Sequence, residues 1–132
     1  MTFSEKEEHQ FVSYLTAKLA QERGFDIYCS DCYETSNTDP EFHCDTYTGL
    51  TGADGYHFDC YRPTQTFLQK WLREKYSIDI YVVPHTQQNK IGYINRIQVN
   101  FCITNEIDYK IYSTYEEALE HGLSESLKLV TL

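Results

Sequence analysis

The apolar residues of this chain fall into stretches of helical spacing and stretches of strict alternation, which follow one another in a readable order. Ser4-Glu5-Lys6-Glu7 has the form of a capping box, and Phe11, Val12, Leu15 and Leu19 follow at helical spacing. Gly24 after Arg23 is a stop signal, so the pattern predicts a helix over 5–23. Phe25, Ile27 and Cys29 alternate with Asp26, Tyr28 and Ser30 and predict a strand with one buried face. From Glu34 to Arg62 the turn residues Asn37, Asp39-Pro40, Gly49, Gly52 and Gly55 interrupt any periodicity. Within that stretch Phe42–Tyr47 and Tyr56–Tyr61 are candidate short strands.

Pro63 suits the first turn of a second helix, over 63–76, whose stripe is Phe67, Leu68, Trp71 and Leu72. Ile78, Ile80 and Val82 alternate along a strand that Pro84 is expected to end, with a polar loop from Pro84 to Lys90. From Ile91 to Ile103 the odd positions are mostly apolar and the even ones mostly polar, which predicts one long strand with a wet face. Thr104-Asn105-Glu106 reads as a turn, and Ile107, Tyr109 and Ile111 begin a third antiparallel strand. Ser113 with Glu116, or Thr114 with Glu117, caps a last helix. Tyr115, Leu119, Leu123 and Leu127 line it, beside a small-residue stripe of Ala118, Gly122 and Ser126. The expected class is α+β: an antiparallel sheet with helices packed on one face, its C-terminal α-β-β-β-α unit preceded by an N-terminal helix and short strands. One domain over 1–132 is expected, with an acidic half (1–62) and an α-β-β-β-α half (63–132).

Composition sharpens this picture at one point. The net charge of −9 is concentrated in residues 1–62, which hold twelve acids and four bases, whereas residues 63–132 hold eight and seven. Arg62 is the one base between Phe25 and Pro63. Such a field repels phosphate backbones and attracts cations or basic protein surfaces. No apolar run reaches the ~20 residues of a membrane span, and the N-terminus reads as neither signal peptide nor basic anchor. Five cysteines, an odd number, then suggest reduced thiols in a cytosol.

Three stretches also carry a likeness: Pro63-Thr64-Gln65-Thr66-Phe67-Leu68-Gln69-Lys70-Trp71-Leu72-Arg73-Glu74; Thr114-Tyr115-Glu116-Glu117-Ala118-Leu119-Glu120-His121-Gly122-Leu123; and Ala17-Lys18-Leu19-Ala20 leading to Gly24-Phe25-Asp26. In these the chain resembles a group of small uncharacterised proteins encoded by bacteriophages and mobile elements of gut bacteria. The resemblance runs nearly full length and is weakest in Glu34–Arg62. It implies a setting, the cytoplasm of a bacterial host cell, and no chemistry. A second similarity is topological: α-β-β-β-α is the order of double-stranded-RNA-binding domains. Those place lysines at the start of the final helix, where this chain has Tyr115-Glu116-Glu117.

The candidate sites follow from these residues. Cys29-x-x-Cys32 with Cys44 and Cys60, and His43 and His57 nearby, contains the ligand types of a tetrahedral zinc site, but only the first spacing is that of a knuckle. Asp39, Glu41, Asp45, Asp54 and Asp59 are hard oxygen donors without the spacing of a calcium loop. No serine or cysteine sits in a nucleophile motif, and His85 and His121 read as incidental. Lys70, Arg73, Lys75, Lys90, Arg96 and Lys110 are the bases available to nucleic acid, with Tyr93 and Tyr112 as candidate stacking residues. Tyr28, Tyr33, Tyr47, Tyr56 and Tyr61 make the acidic half aromatic, a combination suited to a protein interface. The expectation is a non-catalytic protein-binding accessory protein, such as a host-factor or defence inhibitor, with no cofactor, no metal and no membrane. Nucleic-acid binding through the α-β-β-β-α unit and zinc binding through Cys29, Cys32, Cys44 and Cys60 are the alternatives.

Overall fold

A computed structural model describes residues 10–36, 43–46, 56–100, 102–103 and 110–130, with backbone alone for residues 36, 43–46, 56 and 103. Its elements, in chain order, are α1 (Tyr14–Glu22), β1 (Asp31–Ser36), β2 (His43–Thr46), β3 (Tyr56–Tyr61), α2 (Gln65–Tyr76), β4 (Ile78–Gln87), β5 (Lys90–Val99), β6 (Cys102–Ile103) and α3 (Tyr115–Lys128). The fold is α+β, with two antiparallel sheets ordered β2-β1-β3 and β4-β5-β6. The chain divides into two compact units, one of residues 11–64 and one built mainly from residues 65–131. Among the described residues no helix is long and apolar enough to cross a membrane.

In the 11–64 unit the first helix is shorter than its sequence pattern. Ser4 and Glu7 lie outside the described residues, and the cap in place is Ser13, whose Oγ accepts the Thr16 N–H at 3.3 Å. Phe11 forms a β-bridge with Thr64, and Val12 N–H donates to the Pro63 carbonyl at 3.1 Å, so strand pairing takes residues that spacing alone gives to a helix. Thr16, Ala17 and Ala20 are buried, while Leu15 is 79% exposed. Gly24 ends the helix as expected. At φ 97° it lets its own N–H reach Gln21 O and the Phe25 N–H reach Ala20 O, which satisfies the last carbonyls. Phe25 is buried there, and the strand expected over 25–29 does not form; β1 starts at Asp31. The strands expected at 42–47 and 56–61 are β2 and β3.

In the 65–131 unit α2 starts at Gln65, because Pro63 and Thr64 are engaged by the Phe11–Val12 segment. Leu68, Trp71 and Leu72 are buried, and Phe67 is half-buried. β4 does not stop at Pro84 but continues to Gln87, and a two-residue turn replaces the expected loop. Gln88 and Asn89 have φ 50° and 67°, the pair of positive angles of a type I′ hairpin. Pro84 fits because Tyr93, directly opposite, exchanges both backbone hydrogen bonds with Tyr112 on its other side, at 2.8 and 2.7 Å. An antiparallel partner at such a position needs no N–H. The long strand also ends early. Asn100 turns at φ 52°, and Cys102–Ile103 folds back against Val99 and Gln98. The expected turn at 104–106 and strand residues 107–109 lie outside the described residues.

Helix α3 packs against β4 and β5, α2 packs against β4, and the two helices pack against each other. Gly122 of α3 sits so close that a Cβ there would lie 2.8 Å from Ile80 Cγ2 and 3.4 Å from Asn95 Cβ. Ile78, Ile80 and Ile97 are buried with Leu119, Leu123 and Leu127. The alternation is imperfect in two places: Ile91 is 83% exposed, and Ile94, of the opposite parity, is fully buried. Tyr115, expected in the buried stripe, is 44% exposed.

Candidate functional site

The polar centre of the 11–64 unit is made by an irregularity in its sheet. Tyr33 pairs with Cys60 and Glu34 with Phe58, so Asp59 is the extra residue of a β-bulge. A bulge re-aims a side chain, and here the Asp59 carboxylate receives hydrogen bonds from the Tyr14 hydroxyl and from Lys18 Nζ, the latter at 2.5 Å. Tyr14 and Lys18 stand one helical turn apart on α1, which puts both on one face. Gln21, almost a further turn on, donates its Nε2 to the Asp59 carbonyl at 2.7 Å. The hydrogen bond to Asp59, then burial, push the Tyr14 phenol up to about 12. Its own hydrogen bond to Asp59 raises the Lys18 ammonium, against an opposing effect of burial. Tyr14 is thereby held protonated, the reverse of what a catalytic base needs.

This cluster gives a pH-dependent expectation. Tyr14 ionises less readily folded than unfolded, so its contribution to stability is complete below the unfolded value near 10 and disappears as pH rises through about 12. Tyr14→Phe is expected to cost about 1.5–3 kcal/mol near neutral pH, the range of a hydrogen bond to a charged group. The gap between variant and native protein should narrow toward pH 12. Urea unfolding at both pH values checks it, and a gap independent of pH contradicts it.

Arg62, the one base between Phe25 and Pro63, is also engaged inward. Its guanidinium carbon lies 3.9 Å from the Phe11 ring centroid and 5.8 Å from that of Tyr33, and its buried Nε has no hydrogen-bond partner among the described residues. Tyr33 is buried edge-on to Tyr14, and its hydroxyl donates to Val12 O at 2.6 Å. Tyr28 is 62% exposed and meets Tyr61 edge-on, with Phe58 behind Tyr61. Tyr47, Asp39, Glu41 and Asp54 lie outside the described residues, and of Tyr56 and Asp45 only the backbone is described.

Among the described residues the cysteines do not gather into one site. Cys44 and Cys60 both occupy positions opposite Tyr33, one residue out of phase with Cys32. Successive strand positions face opposite sides of a sheet, so Cys32 and Cys60, the latter paired with Tyr33, face opposite ways. Cys29 lies before β1, half-buried, its thiol pushed up to about 11 by burial and then by Asp31. His57 is exposed on β3, and His43 is in β2. Among the described residues no three histidine, cysteine or acidic groups gather as a metal site would require.

The 65–131 unit carries a second cluster, around the first two turns of α3. Thr114 caps the helix by accepting the Glu117 N–H at 3.1 Å. Buried Asn95 donates its amide to the Ala118 carbonyl at 3.0 Å, and the same nitrogen faces His121 Nδ1 at 3.4 Å. The other ring nitrogen, Nε2, lies 3.6 Å from Glu125. The His121 ring lies 5.3 Å from that of Tyr112, whose phenol is raised by burial and then by the Glu125 charge. Tyr93 meets Tyr115 at 6.0 Å, edge to face. His121 thus faces Asn95 and Glu125 through its two ring nitrogens, while His85 is half-buried in β4 opposite Gly92.

The bases suggested for nucleic acid are scattered. Lys70 pairs with Glu74, Lys75 lies over Trp71 and Tyr76, and Arg73 is exposed near the end of α2. Lys90 stands at the hairpin turn, Arg96 is half-buried on β5, and Lys110 lies over Tyr112. Glu116 and Glu117 are exposed at the start of α3, where the double-stranded-RNA-binding order would need lysines. Sequence reading singled out Tyr93, Tyr112 and Asp59 but missed Tyr14 and Lys18, whose only local signal is their one-turn spacing. A scan against family models finds no match, and searches of curated proteins and of solved structures find none either.

Proposed function

We propose that the chain is a non-catalytic protein-binding module, of the accessory kind that bacteriophages and mobile elements encode, and that its 11–64 unit receives a basic surface of its partner. One observation carries this reading: the internal use of that unit's positive charge. The unit holds nine acids and three bases. Lys18 is bound to Asp59 and Arg62 is stacked on Phe11, so two of the three bases are engaged within the unit. Glu22 and Asp26 are exposed, as is Tyr28, which supplies rigid contact area with a polar tip. A field of this sign steers basic partners and is screened beyond about 8 Å at physiological salt, so binding is expected to be salt-sensitive.

The test is retention of proteins from bacterial lysate on the immobilised full chain, beside a variant combining Glu22→Gln, Asp26→Asn and Glu34→Gln. A basic protein held at low salt, released at high salt and held at least about threefold less by the variant supports the reading, since each of the three rim charges contributes roughly 0.2–1 kcal/mol. Equal retention by the variant, or no protein above background, ends it. Retention of RNA or DNA instead would favour binding through the α-β-β-β-α unit.

A further inference from the structure

We propose that Tyr93, Tyr112 and Tyr115 in the 65–131 unit form a receptor for a lysine or arginine side chain of a partner protein, a second cation-seeking surface beyond the acidic 11–64 unit. Tyr93 and Tyr112 exchange both backbone hydrogen bonds, so they are directly opposed and their rings rise from one face of the sheet. Tyr115, the first residue of α3, brings its ring to 6.0 Å from Tyr93 at 80°. Tyr115 is 44% exposed, and Tyr93 and Tyr112 are half-buried, so the group is open to solvent.

Two observations specify a cation. Lys110, two residues before Tyr112 and therefore of the same parity, holds its ammonium 5.5 Å from the Tyr112 ring centroid. The site already attracts the chemistry proposed for its ligand, with Lys110 as an exposed internal occupant that an external cation displaces. Carboxylates outnumber bases around the rings, although Glu125 is itself paired with Lys128 at 3.0 Å. Glu116 and Glu117 are exposed beside Tyr115, and the Glu125 charge is felt at the Tyr112 hydroxyl. Aromatic faces flanked by carboxylates disfavour phosphate and favour ammonium or guanidinium.

The experiment is an NMR titration of the labelled full chain with a short oligolysine peptide, an oligoglutamate of equal length and a single-stranded oligonucleotide. Oligolysine alone should shift the amides of Tyr93, Tyr112 and Tyr115. Lys110→Ala should tighten binding at these signals about two- to fivefold, and Tyr112→Leu should weaken it by a similar factor, the range of an exposed cation–π contact. If Tyr112→Leu disturbs the fold, Tyr115→Leu at its more exposed position gives the same readout. Shifts confined to residues 11–64, an unchanged or weakened Lys110→Ala variant, or shifts with the oligonucleotide overturn the proposal. Shifts confined to Tyr93, Tyr112 and Tyr115 would uphold it while removing the role of the 11–64 unit.

Discussion

Gly92→Ala is expected to destabilise the 65–131 unit by about 1–3 kcal/mol, although glycine in a strand interior ordinarily costs about 0.5–1 kcal/mol relative to alanine. The sign reverses because of what lies beside it. A Cβ on Gly92 would stand 2.4 Å from the Tyr112 carbonyl oxygen and 2.6 Å from Ile111 Cγ2. The nearer atom is backbone, and it accepts the Tyr93 N–H at 2.8 Å. The Tyr112 segment has no way to retreat without loosening the two hydrogen bonds that hold it, each contributing about 1 kcal/mol. Urea unfolding followed by the emission of Trp71, the one tryptophan and only 6% exposed, measures the effect. Unchanged or increased stability would mean that residues 111–112 do not lie against Gly92.

A larger loss is expected from Leu123→Ala, about 2–5 kcal/mol. Leu123 is completely buried, and its neighbour Gly122 places α3 against Ile80 with no room for a methyl group. Removing a branched side chain from so close a contact leaves a cavity that the sheet and helix cannot close. Leu15→Ala provides the contrast. Leu15 belongs to the stripe that the sequence assigns to the first helix, but it is 79% exposed and should change stability by no more than about 0.5 kcal/mol. Equal effects of the two substitutions, by the same urea titration, would contradict the burial assigned to both.

The contrast between these leucines shows what was legible in the sequence. Where a helix lies on a sheet, as Leu119, Leu123 and Leu127 do, spacing alone identifies the buried face, and the small stripe through Gly122 marks close approach. The first helix is shorter than its spacing predicts because Phe11 and Val12 satisfy their backbone through Thr64 and Pro63, more than fifty residues away, a choice that local spacing does not encode. Pro84 was read as a strand end because the rule against proline in strands assumes a neighbour waiting for its N–H; opposite Tyr93 none waits. The break at Asn100 was hidden by alternation that continues through a turn, since Asn tolerates positive φ without any change in polarity pattern.

The candidate sites divide in the same way. Tyr93 and Tyr112 were recognisable as residues, but their opposition depends on where the strand ends. Asp59 was one acid among five until the bulge turned it toward Tyr14 and Lys18. The cysteines show the converse: two that look alike in sequence, Cys32 and Cys60, are set on opposite faces of the sheet by its register.

Everything placed on α3, the tyrosine cluster included, requires that the helix lie on the Ile80–Ile97 side of β4 and β5. The nuclear Overhauser effect between the Gly122 α-protons and isoleucine methyl groups reads this directly. A strong cross-peak to Ile80 Cγ2 is expected, since a Cβ at Gly122 would lie 2.8 Å from that methyl carbon. A cross-peak to Ile94 in its place would put the helix on the other side of the sheet and contradict the packing from which both the core and the cluster are built.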